Sequence, residues 1–381
     1  MKTKILLAAT VDWPSVARYA GGFAASGCSV EAFTPKGAPA CISRYVDACH
    51  AYDAFRPLSS LRRAIRNSGA ALIVACDDRV VRLLIRLYEQ EARSGSPVAR
   101  LIEASLGAPR NYARLMSRNA SLAALREAGV RVPPTFAAAS EADLEAALER
   151  VGFPAVLKQD GSWGGEGIVI ARDRAEALRA YRRLAMPPSR LRSLYRAMKR
   201  HDPHHLVAAL RPPRSPVSVQ QFVEGKPAAS AFAAWKGEVV GAIYYDVLVA
   251  DREIGPPNVI RRVDCPEIHR ATEIVAKTFG LSGLHGIDFI RDGSGAVHLI
   301  EVNPRATQGG TLAFGKKRDL PASLAAMVGP DVAGMRKAID RDVVVFFPRE
   351  WVKNPASPFL AMGHHDVPWD DPGVLEAALS F

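Results

Sequence analysis

The sequence contains only five cysteines among its 381 residues, and none of them forms a C-x-x-C pair. An odd and scattered set of this kind does not predict a disulfide framework or a zinc site. We therefore expect reduced thiols that mostly fill small spaces in the core, as is typical of a cytoplasmic protein. The five are Cys28, Cys41, Cys49, Cys76 and Cys265.

Long apolar runs are also absent. The basic start of the chain is followed by a short apolar run that Asp12 and Pro14 interrupt. This run is too short for a signal peptide and for a membrane-spanning helix, which needs about 20 apolar residues. With 48% hydrophobic and 23% charged residues, the composition is ordinary for a soluble globular protein of two or three domains.

Two common nucleotide-binding motifs are missing. No G-x-G-x-x-G follows the first apolar strand at residues 4–10, so a dinucleotide-binding fold is not supported. The glycine-rich stretch at residues 161–167 lacks a lysine and a hydroxyl residue after its last glycine, so it is not a G-x-x-x-x-G-K-[ST] loop.

Residues 1–110 alternate between apolar strands and helical patterns. The strand segments are residues 4–10, 28–33 and 71–75. This alternation predicts a parallel open sheet covered by helices on both faces. Ligands bind such sheets beyond the carboxyl ends of the strands, where Asp12 and the pair Asp77 and Asp78 lie. For at least one of that pair, capping of the following helix is the better interpretation.

A glycine-rich loop joins two strands within residues 155–171. Lys158 closes the first strand, and the loop glycines are Gly161, Gly164, Gly165 and Gly167. Glycines allow successive backbone N–H groups to cradle phosphate oxygens, and a nearby lysine supplies a positive charge for the same phosphates. Glycine-rich hairpin tips are frequent, so the loop alone is weak evidence for a phosphate site.

Residues 286–310 predict a hairpin that carries acidic side chains. The turn at residues 292–295 is rich in turn-forming residues, and Pro304 ends the second strand. A hairpin closed on this turn pairs Arg291 with Ala296 and therefore Asp288 with Leu299. Because side chains alternate with a period of two, Leu299, Glu301 and Asn303 would share one face with Asp288.

Two carboxylates and an amide oxygen would then converge without a basic side chain between them. Burying this much negative charge is costly without a cation. A small set of oxygen ligands favours magnesium, which keeps waters or substrate phosphates in its shell. The alternative is a solvated hairpin that carries acidic residues, which explains less well why Glu301 and Asn303 lie in an otherwise apolar strand.

The D-F-I motif at residues 288–290 and the E-V-N-P-R motif at residues 301–305 resemble those of the ATP-grasp superfamily. The resemblance covers about residues 117–310. It implies an α/β and α+β protein with an N-terminal parallel Rossmann-like α/β domain, a small lid subdomain and an antiparallel-sheet core that binds ATP and metal. The implied divisions are residues 1–110, a lid at 115–218, a core at 219–330, and a C-terminal strand and tail at 331–381.

The resemblance also implies roles for individual residues. Lys158 would contact the α- and β-phosphates beneath the loop glycines, and Arg305 would contact phosphate or the carboxylate substrate. Arg118 replaces a lysine that is usual in the superfamily, and Pro227 replaces a usual ribose-binding acid, a role that Glu224 would take over. The implied metal ligands are Asp288, Glu301 and Asn303, for Mg²⁺ or Mn²⁺; the implied adenine hinge is Gln220, Gln221, Phe222 and Val223.

The implied activity is that of an ATP-dependent ligase. A carboxylate would be activated as an acyl phosphate and joined to an amine or thiol, with release of ADP and phosphate. The alternatives are a bicarbonate-activating carboxylase of the same fold and an ATP-binding regulatory protein without catalysis. His285 and His298 lie near the metal hairpin, and we expect packing or supporting roles for both.

Most of the net charge of +11 comes from residues 182–214, which contain nine basic residues and only one acidic residue. A charge run of this kind is usually a solvated helix face. We instead expect this basic segment to attract an anionic substrate or an acidic partner protein to the mouth of the site. Nucleic acid is disfavoured because the segment has little aromatic content for base stacking. A homodimer that acts on small molecules is compatible with this interpretation.

Overall fold

The computed structural model describes residues 2–159, 167–186, 217–252, 255–329 and 334–379. The first of its three sheets consists of β1 (Lys4–Ala8), β2 (Ser29–Thr34), β3 (Ala48–Ala51) and β4 (Leu72–Ala75). The strands are parallel in the order β3-β2-β1-β4. The helices of this part are α1 (Ser15–Ala25), α2 (Pro57–Ser68), α3 (Asp78–Glu91) and α4 (Pro97–Leu106). The predicted parallel α/β arrangement is confirmed.

The second sheet has four antiparallel strands and two helices. Its elements are β5 (Thr135–Ala138), α7 (Glu141–Val151), β6 (Ala155–Gln159), β7 (Ile168–Ala171), α8 (Arg174–Ala185) and β8 (Val217–Gln221). The strand order is β5-β8-β6-β7. Leu144, Leu157 and Val219 pack in its own small apolar core. We call this sheet and its two helices the lid sheet.

The third sheet has seven strands and is the largest. Its strands are β9 (Lys226–Trp235), β10 (Glu238–Ala250), β11 (Pro257–Arg262), β12 (Gly283–Arg291), β13 (Val297–Asn303), β14 (Val343–Phe346) and β15 (His364–Asp366). They lie in the order β13-β12-β9-β10-β11-β14-β15, and only the last pair is parallel. We call it the core sheet. Two strands from the C-terminal part of the chain therefore complete it.

Helices cover both faces of the core sheet. The remaining helices are α5 (Tyr112–Leu115), α6 (Arg118–Glu127), α9 (Pro266–Phe279), α10 (Leu320–Val328), α11 (Arg349–Lys353), α12 (Pro358–Met362) and α13 (Pro372–Leu379). Phe232 and Phe289 point to one face and pack on α6 and α9. Ala231 and Tyr245 point to the other face, whose core continues through α1 and α10 into the N-terminal sheet. The acidic hairpin thus lies against the N-terminal sheet.

The predicted register of the β12–β13 hairpin is wrong. Arg291 pairs with Val297, and Asp288 pairs with Glu301. The turn is one residue longer than predicted, because the Asp292 carboxylate accepts hydrogen bonds from the backbone N–H groups of Ser294 and Ala296. A β-bulge at Ile300 then shifts the pairing by one further residue.

The bulge decides which side chains share a face. Leu299 lies opposite Phe289, and both are fully buried in the core beside α9. Glu301, two residues along the strand, would share that face in a regular strand, but the extra residue places it on the side of Asp288. The predicted grouping is therefore wrong for Leu299, whereas Asp288, Glu301 and Asn303 do share a face.

Two of the cysteines are not reduced thiols, contrary to the prediction. Cys41 and Cys49 form a disulfide across eight residues, with their Cα atoms 5.8 Å apart. The bond joins a short 3₁₀ helix at Pro39–Ile42 to the edge strand β3. Sequence patterns do not predict this bond, because the approach of the two elements depends on how β3 pairs with β2. Cys28, Cys76 and Cys265 are free thiols.

We expect the double substitution Cys41→Ser and Cys49→Ser to lower the free energy of unfolding by about 2–3 kcal/mol. The disulfide lowers the conformational entropy of the unfolded chain, and for a loop this short the loss corresponds to about that free energy. Urea denaturation of both proteins measures the difference, with Cys265→Ser as the control. A thiol titration of the denatured, unreduced protein should find three thiols; five would refute the disulfide.

No helix in the described ranges is long and apolar enough to cross a membrane.

Candidate active site

Two carboxylates and one amide share one side of the β12–β13 hairpin, and we call Asp288, Glu301 and Asn303 the acid face. Asp288 lies opposite Glu301, and Asn303 lies opposite Gly286. Asn303 Nδ2 donates a hydrogen bond to Asp288 Oδ2 at 2.9 Å. The fold therefore brings together the three residues for which the resemblance implies metal binding.

The surroundings of the acid face shift the pKa values of its two carboxylates in opposite directions. Burial, and then the charge of Glu301, raise the pKa of Asp288 to about 6, although the hydrogen bond from Asn303 opposes the change. Burial also acts to raise the pKa of Glu301, but the charges of Arg118 and Lys158 outweigh it, so the pKa of Glu301 is lowered. A cation at this face would relieve the repulsion between the carboxylates.

The donor set of the acid face fits a hard divalent cation. Among the described residues, no group of three or more His, Cys, Asp or Glu side chains is placed to hold a metal. The face therefore offers two carboxylates and one amide, all of them oxygen ligands. Mg²⁺ and Mn²⁺ accept such a set, with waters and substrate phosphates completing the shell. Structural zinc, which prefers nitrogen and sulfur ligands, does not fit.

The bulge residue Ile300 connects the acid face to the lid sheet. Lys158, on β6, donates from Nζ to the Ile300 carbonyl oxygen at 3.5 Å. Gln220, on β8, donates from Nε2 to the same oxygen at 3.4 Å and to Thr135 Oγ1 at 3.0 Å. The lid sheet thus places Lys158 beside Glu301, as the expected ATP site between lid and core requires.

Arg118 is the first residue of α6 and points to the acid face. Its Nη2 atom donates to Glu301 Oε1 at 2.6 Å, and its side chain is 8% exposed. The next residue, Asn119, donates to Ser218 Oγ on β8 at 3.0 Å. The start of α6 therefore lies between the lid sheet and the acid face, although α6 itself packs on the core sheet.

The residues of the implied adenine hinge lie at the end of β8 and just after it. Gln220 is buried, Phe222 and Val223 are half-buried, and Gln221 and Glu224 are exposed. A Cβ atom at the following residue, Gly225, would lie 2.2 Å from the carbonyl oxygen of Arg291, so only glycine fits there. The hinge thus passes close to the end of β12.

Only one of the four loop glycines lies in the described part of the chain. Gly167 has a φ of +81°, which favours glycine, and its carbonyl oxygen accepts a hydrogen bond from the Gln159 backbone at 2.9 Å. Gly161, Gly164 and Gly165 lie outside the described residues. So does most of the basic segment; Arg182 and Arg183, on α8, are described and exposed.

Arg305 follows β13 and is held by residues from two parts of the chain. Its Nε atom donates to Asp78 Oδ2 at 2.8 Å. Nη1 donates to the carbonyl oxygen of Ala306 at 3.2 Å, and Nη2 donates to Asn303 Oδ1 at 3.4 Å. The centre of the Trp13 ring lies 5.8 Å from the guanidinium carbon. No sequence pattern predicted the pairing with Asp78, which is 227 residues away.

The carboxylate before Asp78 caps a helix, as predicted for one of the pair. Asp77 accepts a hydrogen bond from the Val80 backbone at 2.8 Å at the start of α3. It also accepts one from Thr10 Oγ1 at 3.1 Å. Asp77 therefore ties α3 to the loop after β1, leaving Asp78 to face Arg305.

The two histidines near the hairpin make structural contacts. His285 is buried beside Phe232 and donates from Nε2 to the Ser282 carbonyl oxygen at 2.8 Å. Its burial lowers the pKa of the imidazole to about 4, so the ring is neutral at neutral pH. His298 Nε2 lies 2.8 Å from Asp292 Oδ2 in the hairpin turn.

Tyr245, which the sequence did not point to, lies on the same side of the core sheet as the acid face. Ala229 pairs with Asp288 on one side and with Tyr245 on the other. The tyrosine ring packs against Gly309, where an added Cβ would lie 2.5 Å from the ring. Tyr245 therefore fixes the segment that follows Arg305.

Two protein-family models match the chain. A model described as an ATP-grasp domain matches residues 205–309. A model described as the ATP-binding domain of the carbamoyl-phosphate synthase L chain matches residues 117–190. Together they include the lid sheet, the hinge and the acid face.

Curated relatives are larger proteins. The chain is 26% identical over 221 residues to the carbamoyl phosphate synthase large chain of Beutenbergia cavernae, covering 55% of this chain and 18% of that protein. It is 26% identical over 247 residues to the same protein of Neisseria meningitidis serogroup A, covering 62% of this chain and 20% of that protein. The chain thus spans about one fifth of the length of these relatives.

Solved structures share the fold. One is the biotin carboxylase domain dimer of Hydrogenobacter thermophilus 2-oxoglutarate carboxylase, solved with MgADP and bicarbonate, with a TM-score of 0.60 at 16% identity over 89% of this chain and 71% of that chain. Another is N5-carboxyaminoimidazole synthetase from Staphylococcus aureus with ADP, with a TM-score of 0.61 at 13% identity over 90% and 82%. The predicted fold class and the resemblance to the ATP-grasp superfamily are confirmed.

Proposed function

We propose that this chain with the ATP-grasp fold is an ATP- and magnesium-dependent ligase that activates a carboxylate as an acyl phosphate and joins it to an amine or thiol. The observation that carries the proposal is the acid face, where two partly buried carboxylates and an amide face Lys158 of the lid sheet across the Ile300 carbonyl. This arrangement suits a nucleotide whose phosphates lie between the lid sheet and the core sheet.

The chain supplies positive charge and orientation for phosphoryl transfer, which depends mainly on these two factors. A carboxylate oxygen attacks the γ-phosphorus and ADP leaves; an amine or thiol then attacks the acyl carbon, phosphate leaves, and the nucleophile loses a proton. Lys158 and Arg118 neutralise the phosphates, and Arg305 holds the transferred phosphoryl group or the carboxylate. The acid face would hold Mg²⁺ or Mn²⁺, which would supply positive charge to the phosphates during the transfer.

Bicarbonate is a second candidate for the activated carboxylate. The observation that favours it is the group of similar proteins, which includes carbamoyl phosphate synthases and a biotin carboxylase domain solved with bicarbonate. The same acid face and Arg305 would serve both reactions, so only the acceptor and the carboxylate differ.

The proposal includes the localisation and the partners of the protein. The chain would act in the cytoplasm on small molecules, as a homodimer or alone, without nucleic acid. The basic segment would attract an anionic substrate or an acidic partner to the site by its positive field.

The test is an ADP-release assay with Mg²⁺ and ATP against pools of carboxylates, with bicarbonate alone as one arm. We expect ADP release that depends on one carboxylate, and hydroxylamine should then trap a hydroxamate in place of the amide or thioester. Release with bicarbonate alone favours the second candidate. Tight binding of MgATP without release in any pool refutes the ligase and leaves a nucleotide-binding regulatory protein.

A further inference from the structure

The Asp78–Arg305 ion pair joins the N-terminal sheet to the acid face. Both side chains are largely buried, with 17% of Asp78 and 14% of Arg305 exposed. Asp78 is the first residue of α3, and Arg305 lies two residues beyond Asn303 of the acid face. A carboxylate from the N-terminal sheet thus contacts the arginine that the proposed reaction uses.

The backbone holds both partners of this pair in place. The Ala306 backbone N–H donates to the Ala75 carbonyl oxygen at the end of β4, at 2.9 Å. On the other side, Asp77 caps α3 and accepts from Thr10 Oγ1, which fixes the start of the helix. The segment that carries Arg305 is therefore hydrogen-bonded to the end of β4, and Asp78 lies three residues beyond that end. Both partners of the ion pair are held at the same place.

The contacts of Arg305 leave part of its guanidinium for an anion. The group has five N–H donors, and contacts with described residues use three: one on Nε, one on Nη1 and one on Nη2. Asp78 takes the donor on Nε, so one N–H on each terminal nitrogen remains. A guanidinium that is fixed in this way can present two donors to a phosphate or carboxylate without losing further rotational freedom.

We propose that Asp78 is a positioning residue that orients Arg305 toward the reacting anion, so that the N-terminal sheet contributes to catalysis through this contact. The inference rests on the proposed function, because it assigns Arg305 to the phosphoryl group or the carboxylate. Asp78 itself does not contact the substrate. The Asp78 carboxylate also offsets the positive charge of Arg305. Anion binding by Arg305 therefore depends more on the orientation of its guanidinium than on its charge.

We expect Asp78→Asn to have opposite effects on anion binding and on turnover. Removing a negative charge beside Arg305 strengthens or preserves ground-state binding of an anion. Losing the orientation of the guanidinium weakens transition-state stabilisation, and loss of such a supporting contact typically costs about 10–100-fold in activity. We therefore expect kcat to fall about 10–100-fold while the affinity for inorganic phosphate, measured by calorimetry, is unchanged or higher. Loss of folding would lower both quantities together.

The experiment is a double-mutant cycle with Asp78→Asn and Arg305→Lys, read by kcat and by phosphate affinity. If Asp78 acts through Arg305, Asp78→Asn has little further effect on kcat in the Arg305→Lys background. Asp78→Glu, which keeps the charge, should retain more kcat than Asp78→Asn. Asp366→Asn is the matched control, because it breaks the largely buried Arg18–Asp366 pair between α1 and β15; its kcat should equal that of the wild type.

The outcomes separate this inference from the proposed function. If the wild type releases no ADP with any carboxylate, the proposed function fails, and the positioning role, which depends on it, fails with it. If the wild type is active, a kcat within twofold of wild type for a folded Asp78→Asn variant overturns the positioning role. Fully additive effects in the cycle overturn it as well. If Asp78→Asn does not fold, Asp78→Ser, which also removes the carboxylate, replaces it in the cycle with the same criteria.

Discussion

Replacing Glu301 by glutamine should lower turnover by about 10³-fold, the scale expected for loss of one preorganised electrostatic group in an active site. Glutamine keeps the volume of the side chain and one oxygen that can accept the hydrogen bond from Arg118, which the structure places at 2.6 Å. It removes the negative charge that would hold a divalent cation beside Asp288. Turnover is measured as ADP release at saturating substrate over a range of Mg²⁺ concentrations.

Glutamine is preferable to alanine because of Arg118. Alanine would remove the carboxylate partner of a side chain that is only 8% exposed, and breaking a buried ion pair in this way costs about 3–5 kcal/mol. Thermal unfolding should show that Glu301→Gln is folded, and higher Mg²⁺ should restore part of its turnover. The control is Glu238→Gln, an exposed acid at the start of β10. Wild-type turnover in a folded Glu301→Gln variant would contradict the assignment of the acid face.

Replacing Lys158 by methionine should weaken both nucleotide binding and turnover. A hydrogen bond to a charged group contributes about 1.5–3 kcal/mol, so the Kd for ATP should rise about 10–100-fold. Turnover should fall further, by about 10²–10³-fold, because charge on the phosphates grows in the transition state. Methionine keeps the length of this buried side chain, which is 3% exposed. Calorimetry with MgATP measures the affinity.

Lys277→Met provides the control for this prediction, because Lys277 is an exposed lysine in the last turn of α9. Its ATP affinity and turnover should match those of the wild type. An unchanged ATP affinity in Lys158→Met would place the phosphates away from β6 and would reject the lid sheet as part of the nucleotide site.

Much of the fold followed from local patterns in the sequence. The alternation of apolar strands and helices in residues 1–110 predicted a parallel sheet because that order of elements has few other compact solutions. The turn residues at 292–295 predicted the hairpin, and Asp288 in its first strand with Glu301 and Asn303 in its second predicted the acid face. These features depend on residues that are close in the chain, so their physical causes are visible in the sequence.

The exact pairing within that hairpin was not predictable in the same way. A regular register would have placed Leu299 beside Asp288, but the longer turn and the bulge at Ile300 place it beside Phe289. Nothing in the local sequence distinguishes a bulge from a regular strand here. Burial of Leu299 and Phe289 beside α9 favours the bulged pairing, and that burial exists only once the helix packs on the sheet.

Residue types and spacing predicted the acid face as a cation site and Lys158 as a phosphate contact, and the resemblance to the ATP-grasp superfamily implied the role of Arg305. The partners of these residues depend on how distant segments pack together. Arg118 reaches Glu301 from α6, Asp78 reaches Arg305 from the N-terminal sheet, and Cys41 reaches Cys49 across an edge strand. Residue type and local spacing define the chemistry that a segment can perform, whereas contacts between distant segments are set by packing, which single-sequence patterns do not encode.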